Sequence, residues 1–559
     1  MKISREINSR KIEVVRFFDE KLNKNIALNS EISPQKEIER FGKSYIKNKS
    51  YIIIGSGNGV LLEYILNNSL NSKFFVIEVF DEIDYDQGYK KKLKENQVNF
   101  WHFSKLNYIE VSGAIRESQG IEFEVLIHPN YEKLPEELLK PIFEKIKMGM
   151  ITAQINKNTE KYFMYEWLKE PILNLSLSKM GESLIEFKEY FIDKPFILVA
   201  SGPSLMDNLD FVKNNKDKAY IIASGSAVNG LINNGIHPDF VTIIDASPIN
   251  YTAHFKDTEY NGPLITAGTA NHQILKNHSG KILFTNLVQD TITNEERPDF
   301  VNVPVVPSVA LYSLLLAHFL GASDVYLVGQ DLSLVNGQYY SSGVNEHENM
   351  KNLGSLIEIE NNQGKVVYTT QPLATTLESF NNSIAVIQGV NKDIRIYNMA
   401  CNGAKITGAA YKPAEDIQIE RNIDKSWINN IPEKNLVDYT YSIEFLEKIK
   451  GCKRDVDDVA KKINRMNSAA VTLKDLKKLL QLIKKLRENE VLENHVLNMI
   501  YSTTKSINNM FEFGFEDTYQ ANEERVEMLN KLKFFLEYIQ KYLGNFEKMP
   551  EWSEIKKGR

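Results

Sequence analysis

The chain has 559 residues, of which 43% are hydrophobic and 25% charged, a composition that predicts a globular protein of about three domains and excludes disorder. Its net charge of -6 excludes the basic field that sequence-independent nucleic-acid binding requires. Only two cysteines occur, and neither a signal-peptide hydrophobic region nor an apolar run of roughly 18 residues is present, so we expect a cytoplasmic protein without a membrane span.

Residues 1–190 alternate short apolar runs with polar helical stretches, which predicts a Rossmann-like N-terminal domain. Its clearest unit is Tyr51-Ile-Ile-Ile-Gly-Ser-Gly-Asn-Gly59, a strand followed by a glycine-rich turn. The next strand ends at Glu78, where a nucleotide-binding sheet would hold a ribose hydroxyl. The turn looks like the methyltransferase variant. We favour the alternative interpretation, in which the glycines only allow close packing.

Residues 191–412 form the predicted central domain, which opens with the buried-strand run Phe196-Ile-Leu-Val-Ala200. The run breaks off at four turn residues, Ser201, Gly202, Pro203 and Ser204. A helical pattern follows, and the free N–H groups and positive dipole end at such a junction suit a phosphate group. Gly202 would let a ligand approach the backbone closely. An ordinary strand-to-helix turn is the alternative.

Further apolar runs in the central domain also end in small or polar residues. Tyr220-Ile-Ile-Ala-Ser-Gly225 ends at Ser224 and Gly225, and Phe240-Val-Thr-Ile-Ile-Asp245 ends at Asp245. Val325-Tyr-Leu-Val-Gly-Gln-Asp331 finishes in Gln330 and Asp331. This alternation of strands and helices predicts a parallel sheet whose carboxyl edge carries the ligand-binding residues.

Four segments of the central domain, in order, resemble the motility-associated factor proteins, which are bacterial flagellin glycosyltransferases. The segments are Val199-Ala-Ser-Gly-Pro-Ser-Leu205, Gly235-Ile-His-Pro-Asp-Phe-Val-Thr-Ile-Ile-Asp245, Val328-Gly-Gln-Asp-Leu332 and Tyr397-Asn-Met-Ala-Cys-Asn-Gly-Ala-Lys-Ile-Thr-Gly408. The three-part layout also matches that family. In addition, the Gly-Pro-Ser turn is similar to the nucleotide-binding turn of bacterial sialyltransferases. The resemblance therefore implies an α/β protein with a sialyltransferase-like central domain.

The resemblance implies transfer of a nonulosonic acid, of the pseudaminic or legionaminic type, from a CMP-activated donor to Ser or Thr of flagellin. Such a protein would serve flagellum assembly and motility and would require no cofactor beyond its donor. The backbone around Ser201, Gly202 and Ser204 would then stabilise the departing phosphate. Asn229 and the Ser224-Gly225 turn would frame the ribose or the base.

Transfer to a hydroxyl requires a general base. The candidates are Asp245, Asp331 and His347, of which Asp331 and His347 match or follow the Gly-Gln-Asp motif. Their alternative interpretations are a carboxylate that caps a turn, for Asp331, and a solvated loop histidine, for His347.

The turn at Asn402 and Gly403 could bring an amide and the ammonium of Lys405 toward an anionic donor, although a plain turn with a solvated lysine fits the sequence equally well. The central domain has no Asp-x-Asp pair and no cluster of His or Cys, so a tightly held transition metal is not expected. A loosely bound Mg²⁺ at Asp245 or Asp331 stays open.

Residues 413–559 begin with a polar connector and then turn helical. Leu473, Leu476, Leu479, Leu480 and Ile483 follow helical spacing, with lysines on the outward face. An α-helical C-terminal domain is predicted. The apolar stripes of its helices are expected to form the core of this domain. A further hypothesis is that the helical bundle binds flagellin.

Two other functions remain open. The central motifs also look like those of archaeal-type hydroxymethyl-dihydropterin pyrophosphokinases, which would use Mg²⁺ and ATP; those enzymes lack large flanking domains. The second is a non-catalytic protein that binds flagellin and keeps only a vestige of the nucleotide turn.

Overall fold

The computed structural model describes residues 2–45, 49–68, 72–335, 337–338, 340–341, 356–434, 438–466, 469–512 and 521–557. Its amino-terminal part contains an antiparallel three-stranded sheet and a parallel four-stranded sheet of order β6-β5-β4-β7. The strands are β1 (Lys2–Ile7), β2 (Glu13–Asp19), β3 (Lys24–Ala27), β4 (Lys49–Ile54), β5 (Lys73–Glu78), β6 (Val98–His102) and β7 (Glu122–Ile127). The helices are α1 (Pro34–Ser44), α2 (Val60–Asn68), α3 (Gln87–Glu95), α4 (Tyr108–Glu117) and α5 (Glu136–Phe163).

The middle of the chain forms a ten-stranded sheet and a two-stranded hairpin. Its strands are β8 (Glu182–Ser183), β9 (Pro195–Val199), β10 (Tyr220–Ser224), β11 (Phe240–Ile243), β12 (Leu264–Ala267), β13 (Ile282–Leu287), β14 (Asn302–Val303), β15 (Asp324–Val328), β16 (Ile357–Glu360), β17 (Val366–Thr369), β18 (Arg395–Asn398) and β19 (Ala410–Tyr411). Its helices are α6 (Glu166–Met180), α7 (Leu209–Asn214), α8 (Val228–Ile232), α9 (Pro248–Asn250), α10 (His272–Asn277), α11 (Thr291–Glu296), α12 (Val309–Phe319) and α13 (Gln371–Val390).

The carboxyl-terminal part is helical in the residues described. Its helices are α14 (Thr440–Asn464), α15 (Leu473–Arg487), α16 (Leu497–Met499), α17 (Tyr501–Glu512), α18 (Asn522–Phe546) and α19 (Glu551–Lys557). A capping box formed by Thr472 and Asp475 starts α15, and its Leu476, Leu479 and Ile483 are buried. The parallel sheets and this helical region confirm the predicted α/β fold class.

The chain divides into two compact units, and neither is contiguous in sequence. One contains Met1–Tyr162 and Cys452–Gly544, and the other contains Phe163–Gly451 and Asn545–Arg559. Residues 163–190 therefore belong with the middle sheet, where β8 pairs with β13. This division rests on which residues pack together, so it does not test the predicted domain limits at 190 and 412. Those limits remain predictions from the sequence.

All pairings in the middle sheet are parallel, as predicted. The strand order is β14-β13-β12-β11-β10-β9-β15-β18-β19. From β9 the chain first adds strands on one side, through β14, and then returns to add β15 on the other side. The point between β9 and β15 is thus the topological switch point of a doubly wound sheet, where such folds bind their ligands.

Aromatic side chains pack at the edge of this sheet where its strands begin. Trp427, in the connector after β19, is 5% exposed. Its ring stacks on Tyr190, with ring centroids 4.6 Å apart, and its Nε1 donates to the Tyr220 hydroxyl at 2.9 Å. Lys425 donates to the backbone carbonyls of Lys216 and Ala219. The polar connector is therefore anchored on the side of the sheet opposite the switch-point crevice.

Candidate functional site

The candidate site lies at the carboxyl ends of β9 and β15. Their turns are joined by backbone hydrogen bonds, from Ala200 N to Val328 O (2.8 Å) and from Gly202 N to Gly329 O (2.9 Å). A Cβ on Gly202 would collide with the Asp331 carboxylate and with the Gly329 carbonyl oxygen. Position 202 therefore requires glycine, because the side chain of Asp331 approaches the backbone closely there.

Asp331 holds the Gly-Pro-Ser turn from the β15 side. Its Oδ2 accepts hydrogen bonds from Ser204 N at 3.0 Å and from Ser204 Oγ at 2.9 Å. Asp331 is 2% exposed. Burial raises its pKa to about 6, with a smaller contribution from the nearby Asp207, while the Ser204 hydrogen bonds oppose the shift. Asp331 thus caps the turn that was predicted to bind phosphate.

This geometry changes which donors the turn can offer a phosphate. The N–H groups of Gly202 and Ser204 already have acceptors within the protein, and proline has no N–H. The Ser201 N–H has no acceptor among the described residues. Beside it, Ser201 Oγ lies 2.9 Å from Ser226 Oγ. The donors available to a phosphate are therefore centred on Ser201 and Ser226, and Ser226 was not identified from the sequence.

The residues predicted to frame the ribose or the base lie at the end of β10. Ser224 Oγ donates to Val199 O at 3.2 Å, and Asn229 Nδ2 donates to His254 O at 2.9 Å. Gly225 packs against the ring of Phe255. Ser224 and Asn229 use these donors within the protein, which leaves their oxygens to accept hydrogen bonds.

Asp245 lies at the same edge of the sheet, after β11. It is exposed, and its Oδ1 accepts from Ser247 N at 2.8 Å. Between the ends of β11 and β15 are three strand spacings, or about 14 Å, so Asp245 and Asp331 are too far apart to bind one Mg²⁺ together. Among the described residues no group of three or more His, Cys, Asp or Glu side chains could hold a metal ion. His347 lies outside the described residues.

The turn after β18 presses against Asp331. Ala404 N donates to Asp331 O at 2.7 Å, and Gly403 packs against the Asp331 backbone. Asn402 is exposed. Lys405 forms an ion pair with Glu360 of the β16–β17 hairpin at 3.0 Å. The structure therefore brings Gly403 into the site and directs the Lys405 ammonium toward the hairpin.

Several polar atoms near this crevice are buried and have no hydrogen-bond partner among the described residues. They are Gln330 Oε1, Asp331 Oδ1, Ser333 Oγ, Ser341 Oγ, Thr370 Oγ1 and Gln371 Nε2. Only Gln330 and Asp331 were identified from the sequence. Thr370 could have been found from the sequence, because a threonine just before Gln371-Pro372 is typical of a helix start. Ser333 and Ser341 carry no pattern that marks them.

The glycine-rich turn of the amino-terminal unit is filled by protein side chains. A Cβ on Gly55 would meet the ring of Tyr131, and one on Gly59 would meet Tyr85. The Tyr131 hydroxyl accepts from Gly57 N at 3.2 Å and donates to Glu78, 3.0 Å from each carboxylate oxygen. The glycines permit close packing, which is the interpretation we favoured from the sequence.

Glu78 does not face a ligand. It is 0% exposed and accepts from Ser56 N and Ser56 Oγ, at 2.9 and 2.5 Å, as well as from Tyr131. Burial raises its pKa, and these hydrogen bonds partly offset that shift. The proposed ribose contact at Glu78 is therefore wrong, because the protein itself satisfies the carboxylate.

The strand order and the switch-point site define a Rossmann-type α/β protein. A family model described as 6-hydroxymethylpterin diphosphokinase MptE-like matches residues 172–337, which span α6 to the turn after β15. A search of curated proteins finds no match. None of the helices in the described part of the chain combines the length and the apolar character of a membrane-spanning segment.

Among solved structures, the chain is similar to the MAf glycosyltransferase from Magnetospirillum magneticum AMB-1. The alignment has a TM-score of 0.56 and 13% sequence identity, and covers 98% of this chain and 93% of that one. The predicted resemblance to the motility-associated factor proteins is thereby confirmed at the level of the fold, over nearly the whole length of both chains.

Proposed function

We propose that this protein is a glycosyltransferase that moves a nonulosonic acid from a CMP-activated donor to Ser or Thr of flagellin. The observation that carries the proposal is the convergence of three family-like segments on Asp331. These are the Gly-Pro-Ser turn, which bonds to its carboxylate, the Gly-Gln-Asp turn that contains it, and the Asn-Gly-Ala-Lys turn that packs on its backbone. They meet at the switch point of a fold shared with a MAf glycosyltransferase.

In this proposal the donor phosphate lies against the Ser201 N–H and the hydroxyls of Ser201 and Ser226. Loss of the nucleotide monophosphate places growing negative charge there, and preorganised donors stabilise it. Asp331 acts by holding the turn, because its Oδ2 is already used by Ser204. Asp245 and His347 then remain as candidates for the general base.

The test of the donor is calorimetric titration of the full chain with CMP, with ATP plus Mg²⁺ and with S-adenosylmethionine. A Gly202→Asp variant would collide with Asp331, so Ser226→Asp is the better way to place a repelling charge in the site. Ser279→Asp, on an exposed loop before β13, is the matched control. We expect CMP to bind wild type and the control, and to bind Ser226→Asp at least tenfold more weakly.

The helical region is the proposed docking surface for flagellin. Residues 545–559 belong to the unit of the middle sheet, where Lys169 contacts Glu551 at 3.0 Å, so truncating the tail would damage that unit. Charge reversal on the exposed face of α15 is a milder probe. Its exposed lysines include Lys474, Lys478, Lys484 and Lys485. Reversing them should weaken flagellin capture and leave CMP binding unchanged.

A pyrophosphokinase is the second candidate, because the central motifs resemble those of such enzymes. The MptE-like description of the family model over residues 172–337 is a name and not evidence of kinase activity. ATP binding that requires Mg²⁺, with no binding of CMP, would support it against sugar transfer. Intact-mass spectrometry of flagellin, incubated with the protein and a CMP-nonulosonic acid, separates the catalytic proposals from an accessory role. Flagellin that binds without gaining the mass of one sugar would support the accessory role.

A further inference from the structure

Three hydrogen-bonding groups lie at or near the amino end of α13. Ser333 Oγ, Thr370 Oγ1 and Gln371 Nε2 are buried and have no hydrogen-bond partner in the part of the chain that the structure describes. Ser333 is 1% exposed and Thr370 is 4% exposed. Native proteins seldom leave such groups unpaired, because each one costs about 1–3 kcal/mol. A ligand or ordered water would supply the hydrogen bonds that these groups lack.

Two hydrogen bonds join the two chain segments that carry these groups. Thr369 Oγ1 donates to Leu332 O at 2.8 Å, and Leu334 N donates to Tyr368 O at 2.8 Å. The segment 332–334 thus runs beside residues 368 and 369, with Ser333 next to the residues that precede α13. Asp331 immediately precedes this segment, so the cluster borders the switch-point crevice.

The helix itself favours an anion at this place. α13 is 20 residues long, and Thr370 is its N-cap residue but makes no side-chain capping hydrogen bond. The amino end of a helix carries positive partial charge and unpaired N–H groups. The free side-chain groups are two hydroxyls and an amide NH₂, all of which can donate. One oxygen of the nearby Asp331 carboxylate, Oδ2, accepts a hydrogen bond from Ser204.

We propose that Ser333, Thr370 and Gln371 form a carboxylate subsite at the amino end of α13. Its occupant is the carboxylate of the donor's sugar acid, bound beside a nucleotide in the crevice. The assignment of the occupant rests on the proposed function. In this proposal neutral donors and the positive end of a helix bind the carboxylate. The Lys405 ammonium does not bind it, because that group pairs with Glu360.

The first experiment compares two ligands that differ in the sugar acid, CMP-N-acetylneuraminate and CMP, by calorimetric titration of the full chain. Thr370→Val and Ser333→Ala each remove one donor, and each should weaken CMP-N-acetylneuraminate about tenfold, or ~1.4 kcal/mol, while CMP affinity stays within twofold. Thr370→Ser should restore binding. Thr375→Val, which removes a hydroxyl one turn along α13 that donates to Gln371 O, should have no effect.

Equal weakening of CMP and CMP-N-acetylneuraminate would overturn the assignment, because the anion would then be the phosphate. Unchanged affinity of both ligands in Thr370→Val and Ser333→Ala would also overturn it and would indicate that ordered water satisfies the cluster.

A second experiment is independent of the nucleotide. Ligand-observed NMR compares N-acetylneuraminate with its neutral methyl ester on the wild type and on Gln371→Glu, which adds a repelling charge. We expect the acid to bind the wild type in preference to the ester and to lose that preference in Gln371→Glu. Preference for the acid without any CMP binding would uphold the subsite and reject the CMP donor, whereas equal binding of acid and ester would reject the subsite.

Discussion

Asp331 and Ser204 join the two loops of the switch point, with one carboxylate oxygen accepting both the backbone N–H and the hydroxyl of the serine. The pair lies between β9 and β15, whose residues are more than 100 positions apart in the chain. It explains why a Gly-Pro-Ser turn and a Gly-Gln-Asp turn occur in one protein. Each is shaped by the other, and a ligand meets the assembled pair.

Substitutions of Asp331 distinguish a role in positioning the turn from a role as the general base. Asp331→Asn keeps an oxygen that can accept from Ser204, whereas Asp331→Ala leaves the buried Ser204 N–H unpaired, at a cost of about 1–3 kcal/mol. We expect Asn to retain CMP affinity and most sugar transfer, and Ala to lose both. Calorimetry and flagellin mass spectrometry measure these effects. Complete loss of transfer by Asn, with CMP affinity intact, would instead identify Asp331 as the base.

The stability of the protein should depend on pH through Asp331. Burial raises its pKa in the folded state to about 6, above the ordinary value of 3.8. The folded state therefore binds more protons between these values, and the stability contributed by this group falls as pH rises from about 4 to about 6.

Relative to wild type, Asp331→Asn should become more stable by up to ~3 kcal/mol between pH 4 and pH 7.5. Urea unfolding of both proteins across this range measures the difference. A difference independent of pH would show that the Asp331 pKa is similar in the folded and unfolded states.

Trp427 should anchor the connector to the amino edge of the middle sheet. Trp427→Ala removes a buried ring and the hydrogen bond to Tyr220, and we expect a loss of about 3–5 kcal/mol. Trp427→Phe keeps part of the stacking on Tyr190 and should lose less. Urea unfolding followed by circular dichroism measures both variants. If Ala and Phe were equally destabilising, the hydrogen bond and not the ring packing would carry the effect.

The amino-terminal unit provides two glycines for a paired test, one in the glycine-rich turn and one in α4. Gly55 has φ +92° and faces the ring of Tyr131, whereas Gly113 lies in α4 with no atom within 4 Å of an added Cβ. Gly55→Ala should destabilise by more than about 1 kcal/mol, and Gly113→Ala should stabilise by about 0.5–1 kcal/mol. Thermal unfolding tests both. Tolerance of alanine at 55 would argue that Tyr131 can move out of the turn.

The features of this protein that depend on local pattern could be predicted from the amino-acid sequence. Apolar runs that end in Gly, Ser or Asp predicted the strands β9, β10, β11 and β15 and their parallel pairing, because a buried strand and the turn after it leave a signal within ten residues. Helical spacing around Leu476 and Leu479 predicted α15 for the same reason. The motifs at Ser201–Ser204 and at Asp331 were likewise visible as separate turns.

The contacts of those turns could not be predicted, because they form only when the chain folds. The tertiary structure directed the Asp331 carboxylate to Ser204 and Lys405 to Glu360, and it filled the turn at Gly55 with Tyr131. It also left Ser333 Oγ, Thr370 Oγ1 and Gln371 Nε2 buried without hydrogen-bond partners among the residues described. Hydrogen-bond partners and burial depend on atoms that come together across long stretches of chain, and no spacing within a single segment encodes which distant side chain will reach a given turn.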